Sequence, residues 1–346
     1  MATIREIAET CGVSAMTVSA VLNKRRGAAS PETRARILRA VEEAGYRRGS
    51  NSRGARPERK NTLGVVLYCE CDAIASDRYF GPILDGIFER ATRHGQSTLI
   101  HVSEEAWELA VKKPLHFEDS CDGLIFMLPI LPSESVVDLY KYHVPFVIVG
   151  ESLTDASLSV VDLDNVAAGY DATNHLLEAG HRLIAHFGGD PNHISSAQRE
   201  KGYRNALAEW GVPIDERLIL PGKYNIPSGY RRMGELLAAD LPNRPTAIFC
   251  ADDWVALGAM QAIVESGRRI PEDFSLVGIN NNKEGVSSQP PLTTINNPLR
   301  QVGQRAIDLL IAQIQNGAPA GEKALLRGDL VIRGSVSSPA GSRVAW

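Results

Sequence analysis

Residues 3–23, TIREIAETCGVSAMTVSAVLN, and residues 30–46, SPETRARILRAVEEAGY, decide how the N-terminal region folds. Thr3 with Glu6 three positions on is a capping-box pattern, and Ile4, Ile7 and Ala8 then share one helical face. Gly12 interrupts this first helix and suits the left-handed backbone of a tight turn. Ser14 caps a second helix from Ala15 to about Asn23, whose buried face is Val18, Val21 and Leu22. Ser30-Pro31 opens a third, with serine at the cap and proline at the first helical position. Ile37, Leu38 and Val41 give it an apolar face, and Gly45 ends it.

Two helices joined across a short glycine turn and braced by a third form the geometry that sets one helix into a major groove. In that geometry the first residues of the second helix face base edges. Its free N–H groups, with Thr17, Ser19 and Asn23, bind phosphate oxygens. The alternative is a small helical interaction domain, and charge speaks against it. Residues 1–60 hold thirteen Lys/Arg and six Asp/Glu, a net +7; the rest holds 37−13=24 basic and 41−6=35 acidic residues, a net −11. A basic head on an acidic body points to a polyanionic partner for the head alone.

Beyond Thr62 the pattern changes. Short apolar runs (LGVVLYC, STLIHV, DGLIFML, PFVIVG, HRLIAHFGG, TAIFCA, FSLVGIN) alternate with helical segments such as FGPILDGIFERATRHG. This predicts parallel sheets covered by helices on both faces. Roughly 275 residues is long for one such domain, so two similar lobes are expected. Ligands of open parallel sheets bind beyond the carboxyl ends of the strands, which places a shared cleft between the lobes.

The chain of 346 residues is 44% apolar and 23% charged, ordinary for a globular protein. No apolar run reaches membrane-spanning length and the N-terminus has no signal core, so a cytoplasmic protein is expected. The five cysteines (Cys11, Cys69, Cys71, Cys121, Cys250) are scattered without metal-type pairing, and neither a metal nor a cofactor is expected. No GxSxG, GxxxxGK or HExxH motif is present, and Gly188-Gly189-Asp190 is a loop signal rather than a dinucleotide fingerprint. An enzyme using the cleft is therefore disfavoured. A solute-binding protein for uptake would share the two-lobed core but needs export and has no use for a basic helical head.

The N-terminal segments quoted above resemble the DNA-binding head of the lactose/galactose repressor (LacI-type) family, and the likeness continues along nearly the whole chain. It runs through Asp164-Asn165 with Gly169, Arg199 before Gly202-Tyr203, Ala251-Asp252-Asp253 with Gly258, Pro290-Pro291-Leu292-Thr293-Thr294-Ile295, and Leu330-Val331-Ile332-Arg333-Gly334-Ser335. The resemblance implies a helix-turn-helix domain at 1–46 and a hinge at 47–60. The core it implies is periplasmic-binding-protein-like, of two doubly wound parallel-sheet lobes: 61–178 with 293–322, and 179–292 with 323–336. A tail, 337–346, follows.

It also implies a homodimer on a pseudo-palindromic operator, with Tyr68–Phe88 among the contacts, and a repressor answering to a small molecule such as a sugar. Ala15, Met16 and Ala20 match base-reading positions; none offers a hydrogen-bond donor, and the family often has Arg where Ala20 stands. Direct readout would then rest on thymine methyls and on Thr17 or Ser19. With Thr3 and Ser14 these complete the DNA-facing set in the head. In the hinge, Ala55 matches the position of a leucine that wedges into the minor groove, with Arg53 and Arg56 near the phosphates.

Candidate effector residues are the aromatic Tyr79, Phe80, Tyr224 and Trp254, whose flat rings pack on a sugar or base. Asp164, Arg199, Asp252 and Asn280 match family positions that hydrogen-bond the effector. Asn280 stands where Asp is frequent and Asp252 where Asn is frequent, which moves one negative charge across the cleft without removing it.

Overall fold

The computed structural model describes residues 3–22, 25, 27–44, 59–67, 77–102, 120–127, 145–150, 158–316 and 321–339. The chain divides into two compact units, Met1–Arg59 and Lys60–Trp346.

The first unit carries helices α1 (Ile4–Thr10), α2 (Ala15–Leu22) and α3 (Pro31–Glu43). The capping box forms: Thr3 Oγ1 accepts from the Glu6 backbone N–H at 3.2 Å, and a Glu6 carboxylate oxygen accepts from the Thr3 N–H at 2.8 Å. Gly12 takes φ +56°, the left-handed turn the sequence requires. Ser14 Oγ then accepts from the Thr17 N–H at 3.0 Å and starts α2. Ile7, Ala8, Cys11, Val18, Val21 and Ile37 close a small core. Leu38, expected on the apolar face of α3, is instead exposed.

The second unit contains two six-stranded sheets. In the first, the order is β11 (Lys323–Leu326), β5 (Val160–Leu163), β4 (Phe146–Val149), β3 (Gly123–Met127), β1 (Thr62–Leu67), β2 (Ser97–Val102), and every pairing is parallel. In the second, the order is β12 (Asp329–Val331), β10 (Thr293–Asn296), β9 (Ser275–Ile279), β8 (Ala247–Cys250), β6 (Ile184–Phe187), β7 (Ile219–Leu220), parallel apart from β12 against β10. The inner strands are buried along their whole length, which explains continuous apolar runs where a half-exposed sheet would alternate.

Helices α4 (Phe80–Arg93) and α10 (Leu299–Asn316) cover the first sheet. The second is covered by α5 (Asn165–Glu178) and α6 (Ile194–Glu209) on one face, and by α7 (Ile226–Ala238) and α8 (Asp253–Glu265) on the other. The short α9 (Lys283–Ser287) follows β9. Each of these pairs is drawn together by reciprocal glycines. A Cβ on Gly169 would stand 2.2 Å from the Arg199 carbonyl oxygen, and one on Gly202 2.2 Å from that of Val166. Gly229 with Gly258 and Gly86 with Gly303 do the same for α7–α8 and α4–α10, at 2.0–2.1 Å.

The crossings between lobes differ from the expected boundaries. Leu163 ends β5 in the first sheet, while Ala168, Ala172, Leu176 and Leu177 of α5 pack into the core of the second. The first crossing therefore falls at Asp164, not after residue 178. Residues 293–296 form β10 of the second sheet, and 323–326 form β11 of the first. The other two crossings thus follow Asn296 and Leu326 rather than residues 292 and 322. Apolar periodicity marks a strand without saying which sheet receives it. The start of the expected tail is likewise tied to the second lobe, where the Ser337 carbonyl accepts from Ser275 Oγ at 3.1 Å and lies 2.9 Å from His181 Nε2.

Candidate functional sites

In the head, the solvent-facing start of α2 carries Ala15, which is exposed, and Met16, which is 80% exposed. Thr17, Ser19 and Ala20 are half-buried. Thr3 and Ser14, both expected at the DNA, have their side chains engaged as helix caps. Met16 therefore stands on the solvent-facing surface of the head rather than in its core. Asn23, Arg53, Ala55 and Arg56, the remaining DNA-facing candidates, lie outside the described residues, as does the hinge apart from Arg59 and Lys60.

In the body, seven of the eight effector candidates meet. Tyr79, Phe80, Arg199, Tyr224, Asp252, Trp254 and Asn280 line one cleft of about 200 Å³ at the carboxyl ends of both sheets. Asp164 is not among its lining residues. Its Oδ1 accepts from the Ala167 N–H at 2.9 Å and caps α5. The nearby carboxylate that does line the cleft is Asp162, 4% exposed, two residues earlier at the end of β5. Asp77, Arg78, His193, Ser195 and Asn282 join it, all missed from sequence.

Arg199 is held where it can act. It is 5% exposed; its Nε donates to Asn165 Oδ1 at 2.8 Å, and its Nη1 donates to the Ala251 carbonyl. Asn165 in turn donates from Nδ2 to Asp162 Oδ2 at 3.0 Å. The close α5–α6 approach at Gly169 and Gly202 places Asn165 and Arg199 together, and Nη2 makes no hydrogen bond among the described residues. The guanidinium lies 5.5 Å from the centre of the Tyr224 ring. That ring covers Gly189, where a Cβ would stand 2.1 Å from it, and its hydroxyl is 3.1 Å from Ser195 Oγ.

Asp252 caps α8 through the Trp254 N–H at 2.6 Å and accepts from Asn280 Nδ2 at 2.6 Å. Burial raises its pKa, opposed by the Arg199 charge and these hydrogen bonds. Asn280, at φ 106°, accepts at Oδ1 from Asn297 Nδ2 at 3.0 Å, and so links the carboxylate to the crossing before α10. Beneath lies Asp253, fully buried and pushed up to about 8 by burial and by Asp252. It is opposed by the Thr294 hydroxyl at 2.6 Å and the Asn282 N–H at 2.7 Å. On the first lobe, Asp77 Oδ1 accepts from the Tyr79 and Phe80 N–H groups, both at 2.8 Å, and fixes the aromatic pair at the start of α4. Arg78 reaches across to Glu284 of the second lobe.

Among the described residues no cluster of three or more His, Cys, Asp or Glu side chains is placed to hold a metal ion. No helix among them is long and apolar enough to cross a membrane.

A three-helix head with an exposed second helix, joined to a two-lobed parallel-sheet receptor core, defines a DNA-binding transcription regulator. The sequence profile of bacterial regulatory proteins of the lacI family matches residues 3–49, and that of the periplasmic binding protein-like domain matches residues 173–336. The HTH-type transcriptional repressor PurR of Mannheimia succiniciproducens is 32% identical over 339 residues, 97% of this chain and 99% of that protein. The chain belongs to the LacI family and is a regulator rather than an enzyme. Among solved structures, a complex of the transcriptional regulator CelR with cellobiose superposes with a TM-score of 0.74 at 28% identity, covering 97% of this chain and 100% of that one. The lac repressor dimer bound to operator and the anti-inducer ONPF superposes with a TM-score of 0.70 at 26% identity, covering 97% and 99%.

Proposed function

We propose that this protein is a cytoplasmic repressor that binds a pseudo-palindromic operator as a homodimer and takes a neutral, hydroxyl-rich small molecule, a sugar or sugar derivative, in its interlobe cleft. One observation carries the reading of the cleft. Arg199 is a buried fork with one arm tied back to the protein and the other unpaired, set beside Asp252 and Asp162 and under aromatic rings. Donors and carboxylate acceptors side by side suit vicinal hydroxyls, and flat rings suit the apolar face of a pyranose. An anionic ligand fits worse: Asp77, Asp162 and Asp252 outnumber Arg78 and Arg199, and Arg78 already faces Glu284. The relatives support the class, since CelR holds cellobiose and the lac repressor sits on its operator as a dimer. Phe88, Leu99, Ile100 and Val102, exposed on α4 and the edge strand β2, offer an apolar surface for pairing first lobes.

In the head, Met16 with Ala15 and Ala20 would meet thymine methyls, while Thr17, Ser19 and the first N–H groups of α2 meet phosphates. A thermal-shift screen with sugars, sugar acids and sugar phosphates tests the cleft. A ligand at a hundred times its Kd adds about 2.7 kcal/mol. The expected hit is a neutral sugar; a hit confined to sugar phosphates would overturn the reading.

A further inference from the structure

Strand β1 starts at Thr62 and pairs with β2 on one side and β3 on the other. Order extends two residues further back, because Asp122, which stands just before β3, reaches past the strand end. Its Oδ1 accepts from the Lys60 N–H at 3.0 Å and its Oδ2 from the Asn61 N–H at 2.8 Å. Three more hydrogen bonds close around the same residues. The Asn61 carbonyl accepts from the Ser97 N–H and the Thr62 carbonyl from the Asp122 N–H, both at 2.7 Å. The Thr62 hydroxyl donates to the Lys60 carbonyl at 3.2 Å. Asn61 holds φ 52°, a left-handed conformation that asparagine accepts more readily than most residues, so the chain turns there in a fixed sense.

This clamp does little for the core. Lys60 and Asn61 are exposed, and neither packs into the apolar cluster behind β1. Yet both oxygens of one carboxylate are committed to their N–H groups, and such charge-assisted hydrogen bonds are the stronger kind. What they fix is the point and direction at which the chain leaves the first lobe for the head. Residues 44–59 alone join the end of α3 to the clamp. Releasing Lys60 and Asn61 would lengthen that link from sixteen residues to eighteen. Added slack of that size lowers the effective concentration of a second tethered head by less than about twofold. A larger effect on DNA binding would therefore report lost direction rather than added length.

We propose that Asp122 is a positioning residue for operator binding. It sets where and in which direction each link departs from the first lobe, and so holds the paired heads of a dimer at the spacing that two half-sites demand. This rests on the reading of the protein as a dimer on a two-part operator.

The test compares the full chain with Asp122→Ala and with Asp122→Asn, which keeps the shape and one acceptor oxygen. Hydrogen exchange should be at least about tenfold faster at the Lys60 and Asn61 amides of the alanine variant, with the β1 amides and the melting temperature unchanged. Anisotropy titrations then use two probes in identical salt: a genomic fragment selected by the wild-type chain, and a random-sequence duplex of the same length. Asp122→Ala should bind the selected fragment at least about fivefold more weakly and the random duplex within about twofold of wild type, with Asp122→Asn between the two on the selected fragment. Equal losses on both duplexes, no loss on the selected fragment, or unchanged exchange at Lys60 and Asn61 would each overturn the role of Asp122 and leave the operator reading standing. If the wild-type chain prefers no genomic fragment over the random duplex, the operator reading fails and the positioning role with it.

Discussion

The two lobes share one plan and furnish the cleft differently. The first brings Tyr79 and Phe80, fixed by the Asp77 turn with Arg78 beside them, and a second carboxylate, Asp162, at a strand end. The second brings a connected polar wall in which Arg199 and Asp252 are buried, Asn280 is half-buried, and all three are held by named partners. One lobe offers an aromatic pair at the start of α4, the other a rigid set of donors and acceptors with Tyr224 and Trp254 among them. On the proposed reading of the cleft, the orientation of a polar ligand is decided on the second lobe.

The largest effect expected from this contrast comes from Arg199→Ala. It leaves Asn165 Oδ1 and the Ala251 carbonyl without their donor and should lower stability by about 3 kcal/mol. It should also abolish the thermal shift given by any neutral sugar. A retained shift would take Arg199 out of the site and move the polar wall elsewhere.

His186 probes the rigidity of the same lobe. It is fully buried between Tyr203 and Phe249, at 5.3 and 4.7 Å between ring centres, and burial pushes its pKa from 6.5 to about 4. The folded state thus binds a proton less readily than the unfolded chain. Its contribution is fully present above about pH 6.5 and is lost as pH falls toward 4. Relative to wild type, His186→Phe should gain about 3 kcal/mol across that interval. Asp253 titrates in both proteins and cancels in the comparison. A difference that stays constant with pH would mean the histidine is not held neutral.

A smaller loss is expected of Gly258→Ala, whose Cβ would meet the Ile226 carbonyl oxygen at 2.0 Å, and denaturant melts should show about 1–3 kcal/mol. Smallest of all is Arg78→Ala. The interlobe pair with Glu284 is partly solvated, so stability should change by less than about 1 kcal/mol. A larger change would show that the lobes are latched across the cleft mouth, not merely apposed.

Much of this was legible beforehand because it rests on local chemistry. The capping box at Thr3–Glu6, the turn at Gly12 and the buried strand runs each follow from residue types at fixed spacing. Arg199 and Asp252 could be placed because they sit in distinctive strings. Asp162 and Asp164 could not be told apart in that way. Both flank the end of β5, and only the backbone direction decides which carboxylate turns toward the cleft and which caps α5. The lobe crossings were misjudged for a related reason: β10 and β11 have ordinary strand patterns, and long-range pairing alone assigns them to sheets. Asp77 precedes α4, and His193 and Ser195 cap and open α6, so they become neighbours only after both lobes fold.

The division of labour between head and body is tested most directly by fluorescence-anisotropy titration of genomic DNA fragments with the intact chain and with a chain lacking residues 1–59, in identical salt. A cationic reading head predicts that the shortened protein loses at least about a hundredfold in affinity, the phosphate contacts having gone with it. Equal affinity of the two proteins would contradict the account.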